Sequence, residues 1–140
     1  MNSRTLAIAA VSLLAAAAVA RADAHLAGDG FALHAEVSDK ATAGAPLAVG
    51  LTLTPSPGYK VNEEFPTSIE IVAPADVTVA KAKLGRGDGS VTHARASFQF
   101  VLTPKTAGDR EVTLKVKFAL CTPTTCEPRK ESVQLKLTVR

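Results

Sequence analysis

Strict alternation of apolar and polar residues marks the end of this chain. Every second residue is apolar from Glu111 to Phe118, and the same pattern returns from Ser132 to Val139. Successive side chains of a β-strand point to opposite faces, so this period of two predicts two strands that each bury one face. Only a short connection separates them, and we therefore expect an antiparallel hairpin.

Five earlier segments show the same alternation less regularly. Turn signals rich in glycine and proline separate them, and no helical periodicity is found beyond the N-terminal segment. Together the runs predict an all-β fold, namely an immunoglobulin-like antiparallel β-sandwich of about seven strands. In the fifth segment, Ala94 shares the parity assigned to the core. The five segments are Phe31–Val37, Pro46–Thr54, Ser68–Val72, Val77–Lys83 and Thr92–Leu102.

The N-terminal segment has the pattern of a secretory signal peptide. A charged start is followed by the apolar run Leu6–Val19 and by the small residues Ala22-Asp23-Ala24. This order predicts cleavage after Ala24, which makes residues 1–24 the signal peptide and residues 25–140 one exported domain. Cleavage after Ala20 and an uncleaved anchor are the alternatives, although the run is short for a membrane span. We expect a periplasmic or otherwise exported protein.

Composition narrows the classes of function. The chain has 140 residues, with 16 Lys and Arg against 13 Asp and Glu. The basic residues are spread singly along the chain, so no basic stripe indicates nucleic-acid binding. No nucleotide fingerprint, phosphate loop or Ser-His-Asp set can be argued from the sequence, and we expect no cofactor.

The two cysteines are the sharpest chemical feature. Cys121 and Cys126 enclose four residues between the two most regular strands. Positions that flank such a loop lie opposite each other, within reach of a disulfide, and an exported protein meets oxidising conditions. The parity of both strands places the two sulfurs on the less buried face of the hairpin.

A disulfide at this position has two readings. A structural bond that closes so short a loop contributes only about 2 kcal/mol, and a domain of this size does not require it. A short-range accessible bond suits thiol–disulfide exchange, in which a thiolate must reach a disulfide sulfur. Lys117, Arg129 and Lys130 are near in sequence and would favour a thiolate, whereas Glu127 would oppose it. The residues alone leave the two readings level.

Two segments resemble a known family. Val116–Pro128, with its two cysteines and the alternating strand that follows, is similar to the end of the N-terminal domain of the thiol:disulfide interchange protein DsbD. Related exported domains are called disulfide bond corrector proteins. Pro57–Asn62 resembles an early segment of the same family, which also precedes a strand, as Ser68–Val72 is predicted to do here.

The resemblance implies a function. Domains of this family take electrons from a membrane partner and pass them to periplasmic thiol proteins, so Cys121 and Cys126 would be the exchanging pair. Independently of the resemblance, the nearness of Arg129 and Lys130 in sequence favours Cys126 as the first to attack. The family shields its cysteines with an aromatic residue on a cap loop. The corresponding loop here, Leu84–Val91, has no aromatic residue. Either the pair is unshielded, or Tyr59 or Phe65 takes that place, or the domain is a binding module in which the disulfide is structural. The residues expected near the pair are Tyr59, Phe65, Pro123 and Pro128.

Two other functions remain open. The first is a non-catalytic periplasmic binding or accessory module in which the disulfide is structural. The second is a copper carrier, because cleavage after Ala24 would make His25 the N-terminal residue, with His34 and His93 available as further ligands. The three histidines lack the spacing of a zinc site. The tripeptide Arg86-Gly87-Asp88 is flanked by glycines and is predicted to be an ordinary turn.

Overall fold

The computed structural model describes residues 22–140, which form two antiparallel β-sheets packed face to face. Each of the seven predicted runs contributes a strand, and four short strands, absent from the prediction, accompany them. In chain order the strands are β1 (Asp23–Gly28), β2 (Phe31–Val37), β3 (Leu47–Pro55), β4 (Lys60–Val61), β5 (Ser68–Val72), β6 (Val77–Val79), β7 (Lys83–Leu84), β8 (Gly89–Thr92), β9 (Arg95–Pro104), β10 (Gly108–Cys121) and β11 (Cys126–Val139).

The strand order confirms an immunoglobulin-like sandwich. In the first sheet the order is β1-β2-β3-β9-β6, and β8 also pairs with β9. In the second sheet the order is β11-β10-β5-β7, and β4 also pairs with β10. β1 and β11 are the terminal strands of their sheets, and they contact each other. The first and last described strands therefore lie side by side at one edge of the sandwich.

The hairpin of β10 and β11 is the longest paired unit of the fold. Its strands are 14 residues each, and their register runs from Gly108 opposite Val139 to Cys121 opposite Cys126. The apolar residues of the predicted alternation are buried in both strands. This hairpin therefore supplies a large part of the inner face of the second sheet.

The core lies between the two sheets and is built from the inward parity of nearly every strand. Phe118 on β10 is fully buried. Its ring meets Phe31 on β2 edge to face, with centroids 5.1 Å apart and an interplanar angle of 67°. Since Phe31 belongs to the first sheet and Phe118 to the second, this contact joins the two sheets near the disulfide end of β10.

Two details of the predicted strands are wrong. The fourth run does not continue through Lys83, because β6 ends at Val79 in the first sheet and β7 belongs to the second. The three residues between them, Ala80, Lys81 and Ala82, are all exposed, so no buried apolar side chain holds this stretch in the first sheet. The fifth run is split by a turn at His93 and Ala94, and Ala94 is exposed rather than buried.

The predicted signal peptide falls mostly outside the described residues. Its predicted end at Ala24 lies within β1, where the Ala22 carbonyl already accepts a hydrogen bond from the Val37 amide at 3.2 Å. The boundary between residues 24 and 25 therefore stays a prediction. No helix within residues 22–140 is both long and apolar enough to cross a lipid bilayer.

Candidate functional site

The two cysteines form a disulfide across the tip of the β10–β11 hairpin, as predicted. Cys121 and Cys126 are paired in register, with their Cα atoms 4.0 Å apart and an S–S distance of 2.00 Å. The loop between them is closed by its own hydrogen bonds. The Thr122 amide donates to the Thr125 carbonyl at 2.7 Å, and the Thr122 hydroxyl accepts from the Thr125 amide at 3.2 Å. The tip is thus ordered by the backbone as well as by the disulfide.

The disulfide lies on the outward face of the second sheet. Cys126 is exposed and Cys121 is half-buried, which confirms the placement predicted from parity. The alternation of β10 changes just before this point, because Ala119 is buried together with its two neighbours. Short strand β4 covers this end of β10, and the Asn62 amide donates to the Ala119 carbonyl at 2.9 Å.

A cleft of about 320 Å³ opens beside Cys121. The Tyr59 ring forms one wall of this disulfide cleft and also packs against the core. Tyr59 is held by the β1–β2 turn, since a Cβ added to Gly30 would lie 2.7 Å from Cε1 of the ring. The cleft is lined by Gly58, Tyr59, Lys60, Cys121, Thr122 and Pro123.

Lys60 is the basic residue beside the disulfide. It is paired in register with Cys121, so its side chain leaves the sheet on the same face. Lys117 and Lys130 share that face, but each lies four residues along its strand from the nearer cysteine, about 13 Å away. The basic residue paired with Cys121 is therefore supplied by β4, which the sequence did not reveal as a strand.

Arg129 faces the other way. Its register partner is the buried Phe118, so it lies on the core side of the hairpin. The guanidinium donates to the Asp29 carbonyl at 2.9 Å and to Glu127 at 3.1 Å, and it covers the Phe31 ring at 5.9 Å from the centroid. The expectation that Arg129 acts on a cysteine thiolate is therefore wrong, and its contacts instead tie β11 to the β1–β2 turn.

The other residues predicted near the pair are divided. Pro123 lines the disulfide cleft, and Pro128 lies two positions after Cys126 on the same outward face, opposite Ala119. Phe65 is half-buried in the loop between β4 and β5 and is not among the lining residues of the cleft. Of the two aromatic candidates, Tyr59 is the one that the fold brings to Cys121.

A basic surface adjoins the disulfide on the same outward face. Lys117 and Lys130 are direct register partners, and Lys115 lies two residues before Lys117. Glu70 on β5 is paired with both Lys115 and Lys83, and Glu131 on β11 also lines this surface, so two carboxylates lie among four ammonium groups. A shallow hollow of about 400 Å³ occupies the middle of this lysine face.

The fold brings two of the three histidines together and places the third elsewhere. His25 on β1 and His34 on β2 are direct register partners. His93 lies in the β8–β9 turn, where its Nδ1 is 3.2 Å from the Val61 carbonyl. The expected grouping of His25 with another histidine is present for His34 and absent for His93. Asp23, which sequence reasoning did not select, lies beside the first two histidines.

The Arg86-Gly87-Asp88 tripeptide forms a 3-10 turn, in agreement with the prediction of an ordinary turn. Arg86 donates to the Glu63 carbonyl at 2.5 Å. Asp88 accepts from the Gly85 amide at 2.8 Å and from Lys81 at 2.5 Å. The Gly85 amide, followed by Lys81, lowers the pKa of the Asp88 carboxyl below its ordinary value. Both charged side chains are thus engaged within this surface.

Comparison with known proteins identifies the fold and no family. No protein-family model matches the chain, and no curated protein matches its sequence. Among solved structures, the chain is similar to the GAE domain of GGA2p from Saccharomyces cerevisiae. The TM-score is 0.51 at 13% sequence identity, over 83% of this chain and 97% of that one. At this identity the likeness shows the immunoglobulin-like sandwich alone.

Proposed function

We propose that this chain is an exported thiol–disulfide exchange module that acts through Cys121 and Cys126. The observation that carries the proposal is an exposed cross-strand disulfide at a hairpin tip, beside a cleft that holds an aromatic and a basic side chain. Exchange requires a thiolate to approach a disulfide sulfur from outside, and the exposed Cys126 offers that approach. The sequence resemblance to the DsbD N-terminal domain supports the same chemistry.

The proposed reaction begins with the reduced pair. The Cys126 thiolate attacks a disulfide of a partner protein, forms a mixed disulfide and releases one partner thiolate. The Cys121 thiolate then attacks the Cys126 sulfur, which re-forms the Cys121–Cys126 bond and releases the second partner thiolate. The partner gains two electrons, and its two thiolates take protons from water. A dithiol donor protein restores the reduced pair by the same steps in reverse.

Lys60 is proposed to assist the resolving step. Lys60 and Cys121 are register partners on neighbouring strands, and a nearby cation favours the thiolate over the thiol. The thiolate is the nucleophile, so a larger thiolate fraction at Cys121 shortens the life of the mixed disulfide. Tyr59 forms the apolar wall against which a partner's chain would pack.

The lysine face indicates the kind of partner. One side of the disulfide is net positive, because four lysines of this face outnumber its two glutamates. Complementary charge accelerates encounter and fixes orientation, so we propose partners that carry acidic surface around their own reactive cysteines. The disulfide suits an oxidising compartment, and we propose a periplasmic location with a membrane protein as the source of electrons.

The reduction potential of the purified protein tests the proposal. We expect a value between about −180 and −270 mV in equilibrium with a thiol–disulfide buffer, within the range of exchange proteins. A value below about −300 mV would mark a structural bond resistant to reduction. That result would favour a non-catalytic binding module and end the exchange proposal.

Two sets of variants sharpen the test. Cys121→Ser should trap a mixed disulfide on Cys126, whereas Cys126→Ser should trap far less. Lys60→Gln should slow resolution about fivefold, as expected for the loss of an exposed charge interaction of roughly 1 kcal/mol. Lys136→Gln is the matched control and should change the rate little, because Lys136 lies ten residues from Cys126 along β11, far beyond a Debye length of about 10 Å, and belongs neither to the cleft nor to the lysine face. Equal effects of the two substitutions would remove Lys60 from the mechanism.

A further inference from the structure

The β1–β2 hairpin brings two histidines and an aspartate to one exposed surface. Asp29 and Gly30 form its two-residue turn, and Gly30 has the positive φ of 85° that a type II turn requires at its second central position. This turn fixes the register, so His25 lies directly opposite His34. Asp23 precedes His25 by two residues and therefore projects from the same face. None of these side chains belongs to the disulfide cleft.

The three side chains converge on a small volume. The two imidazole rings are parallel within 2°, with centroids 4.1 Å apart. Both Nε2 atoms face one carboxylate, because His25 Nε2 is 3.3 Å from Asp23 Oδ2 and His34 Nε2 contacts Asp23 Oδ1. One ligand atom from each residue lies within 4.8 Å of the others. Two imidazoles and one carboxylate are a common ligand set for divalent transition metals.

A second carboxylate makes this surface favourable for a cation. Glu36 is the register partner of Asp23, and both side chains lie on the outward face of the hairpin. Like charges directly opposite each other destabilise a strand pair. A bound cation would offset this repulsion while it joins β1 to β2. The negative charge of the two carboxylates therefore favours a bound cation, as does the arrangement of the ligand atoms.

We propose that Asp23, His25 and His34 bind a divalent transition metal ion, with copper(II) preferred over zinc(II). Copper(II) stands above zinc(II) in the affinity order of nitrogen and oxygen ligands, and no part of this exposed site enforces a tetrahedral arrangement. Binding requires the rings to rotate out of their stack so that both Nε2 lone pairs point at one ion. The His25 side chain is 69% exposed and has room for this rotation. Three protein ligands leave positions for water or a small ligand.

The site sets a condition on processing of the chain. Cleavage after Ala24 would remove Asp23 and cut β1 between two of its paired residues. Cleavage after Ala20 would keep Asp23 and also the Ala22 carbonyl that accepts from Val37. The proposal therefore includes processing after Ala20, and the mature chain would begin at Arg21.

The test uses the protein exported by a bacterial host, with its N terminus determined by mass spectrometry. We expect a chain that begins at Arg21 and binds one copper(II) ion in calorimetric titration, with two-nitrogen ligation in the paramagnetic resonance spectrum. His34→Ala should weaken copper binding by on the order of 100-fold, at least the loss that follows removal of an outer-sphere partner. Asp23→Asn should weaken it by about 10-fold, because an amide oxygen is a poorer ligand than a carboxylate.

The controls separate this site from other histidines and from the cysteines. His93→Ala removes an exposed histidine away from the cluster and should leave copper affinity unchanged, as should Cys121→Ser/Cys126→Ser. Saturating copper should raise the melting temperature of the wild type and not that of His34→Ala, because only a ligand bound to the native state stabilises it. A mature chain that begins at His25, tighter zinc than copper binding, or equal losses for His34→Ala and His93→Ala would each overturn the proposal.

Discussion

Two pairs of side chains face each other across antiparallel strands of this molecule, and their settings differ. Cys121 and Cys126 close a hairpin with 14 paired positions whose inner face is buried in the core. His25 and His34 face each other across a hairpin with six paired positions, in which no residue of β1 is fully buried. One pair lies at the tip of the longest paired unit, and the other includes an edge strand that has no fully buried residue.

The difference indicates what each pair can change. Breaking the disulfide leaves the ladder and the packing of β10–β11 in place, so redox chemistry at the tip should alter the fold little. A metal at the histidines would instead add an attachment to a strand that has few others. Disulfide exchange should thus have only a modest effect on the stability of the fold, whereas metal binding at the histidines should increase it. Each prediction below tests this comparison, beginning with the largest expected effect.

Phe118 is the residue whose loss should affect both hairpins. Phe118→Ala removes a fully buried ring and its edge-to-face contact with Phe31, and should lower the free energy of unfolding by about 3–5 kcal/mol. Urea unfolding of the variant measures the loss. Val101→Ala, on the outward face of β9 and 38% exposed, is the control and should cost far less. If Phe118→Ala leaves amide exchange in β1 and β2 unchanged, the two hairpins are independent.

Gly30 belongs to both regions, because it lies in the β1–β2 turn and touches the wall of the disulfide cleft. Gly30→Ala should lower the free energy of unfolding by about 2–3 kcal/mol, since the positive φ disfavours a side chain and the new methyl meets Tyr59. Gly44→Ala is the matched control, with a φ of +79° and open space around the added atom. It should lose only about 1–2 kcal/mol. Equal losses in urea unfolding would contradict the contact with Tyr59.

The sequence predicted the disulfide region better than the histidine region, for a physical reason. Parity and spacing define the positions around Cys121 and Cys126, because a regular hairpin has one register. The Asp29-Gly30 turn is an equally strong hairpin signal. The first two residues of β1 nevertheless fall within the predicted signal peptide, and β1 is not predicted as a strand. Asp23 was therefore overlooked as a partner of the histidines. Pairing the residues on either side of the Asp29-Gly30 turn would have placed His25 opposite His34, with Asp23 on the same face.

Lys60 was missed for a different reason. Strand β4 has two residues, and its place beside β10 depends on the tertiary packing of a long loop rather than on any local pattern. Arg129 was assigned to the cysteines because it is near them in sequence, although the alternation of β11 places it on the opposite face. Nearness in sequence is a poor guide along a strand, where four residues span about 13 Å.

Removing the disulfide should have a modest effect on stability. Cys121→Ser/Cys126→Ser should lower the free energy of unfolding by about 2 kcal/mol, which is the loop-closure entropy of a short ring. The Thr122–Thr125 hydrogen bonds and the long ladder should keep the hairpin folded, as a two-dimensional NMR spectrum would show. The reduced wild type is the control and should match the variant. A variant that loses the spectrum of the folded state would make the disulfide a structural requirement.

The smallest effect is expected at the opposite end of β10, where Arg110 is bonded to Asp76. The Arg110 guanidinium and then the Thr106 hydroxyl donate to this carboxylate, and they lower the pKa of Asp76 below its ordinary value of 3.8. The folded state holds this proton less tightly than the unfolded state. The contribution of the Asp76 carboxylate to the free energy of unfolding is therefore complete above pH 3.8, and it is lost as the pH falls through the lower pKa of the folded state. Urea unfolding at falling pH should therefore bring the wild type and Asp76→Asn closer together in stability. Arg110→Gln should show the same reduced acid dependence, since it removes the donor that lowers the pKa.

Neither substitution should alter the exchange rate of the disulfide, because Arg110 and Cys121 lie at opposite ends of β10. A change in that rate would show that the hairpin transmits strain along its length, and the separation of stability from reactivity at its tip would no longer hold.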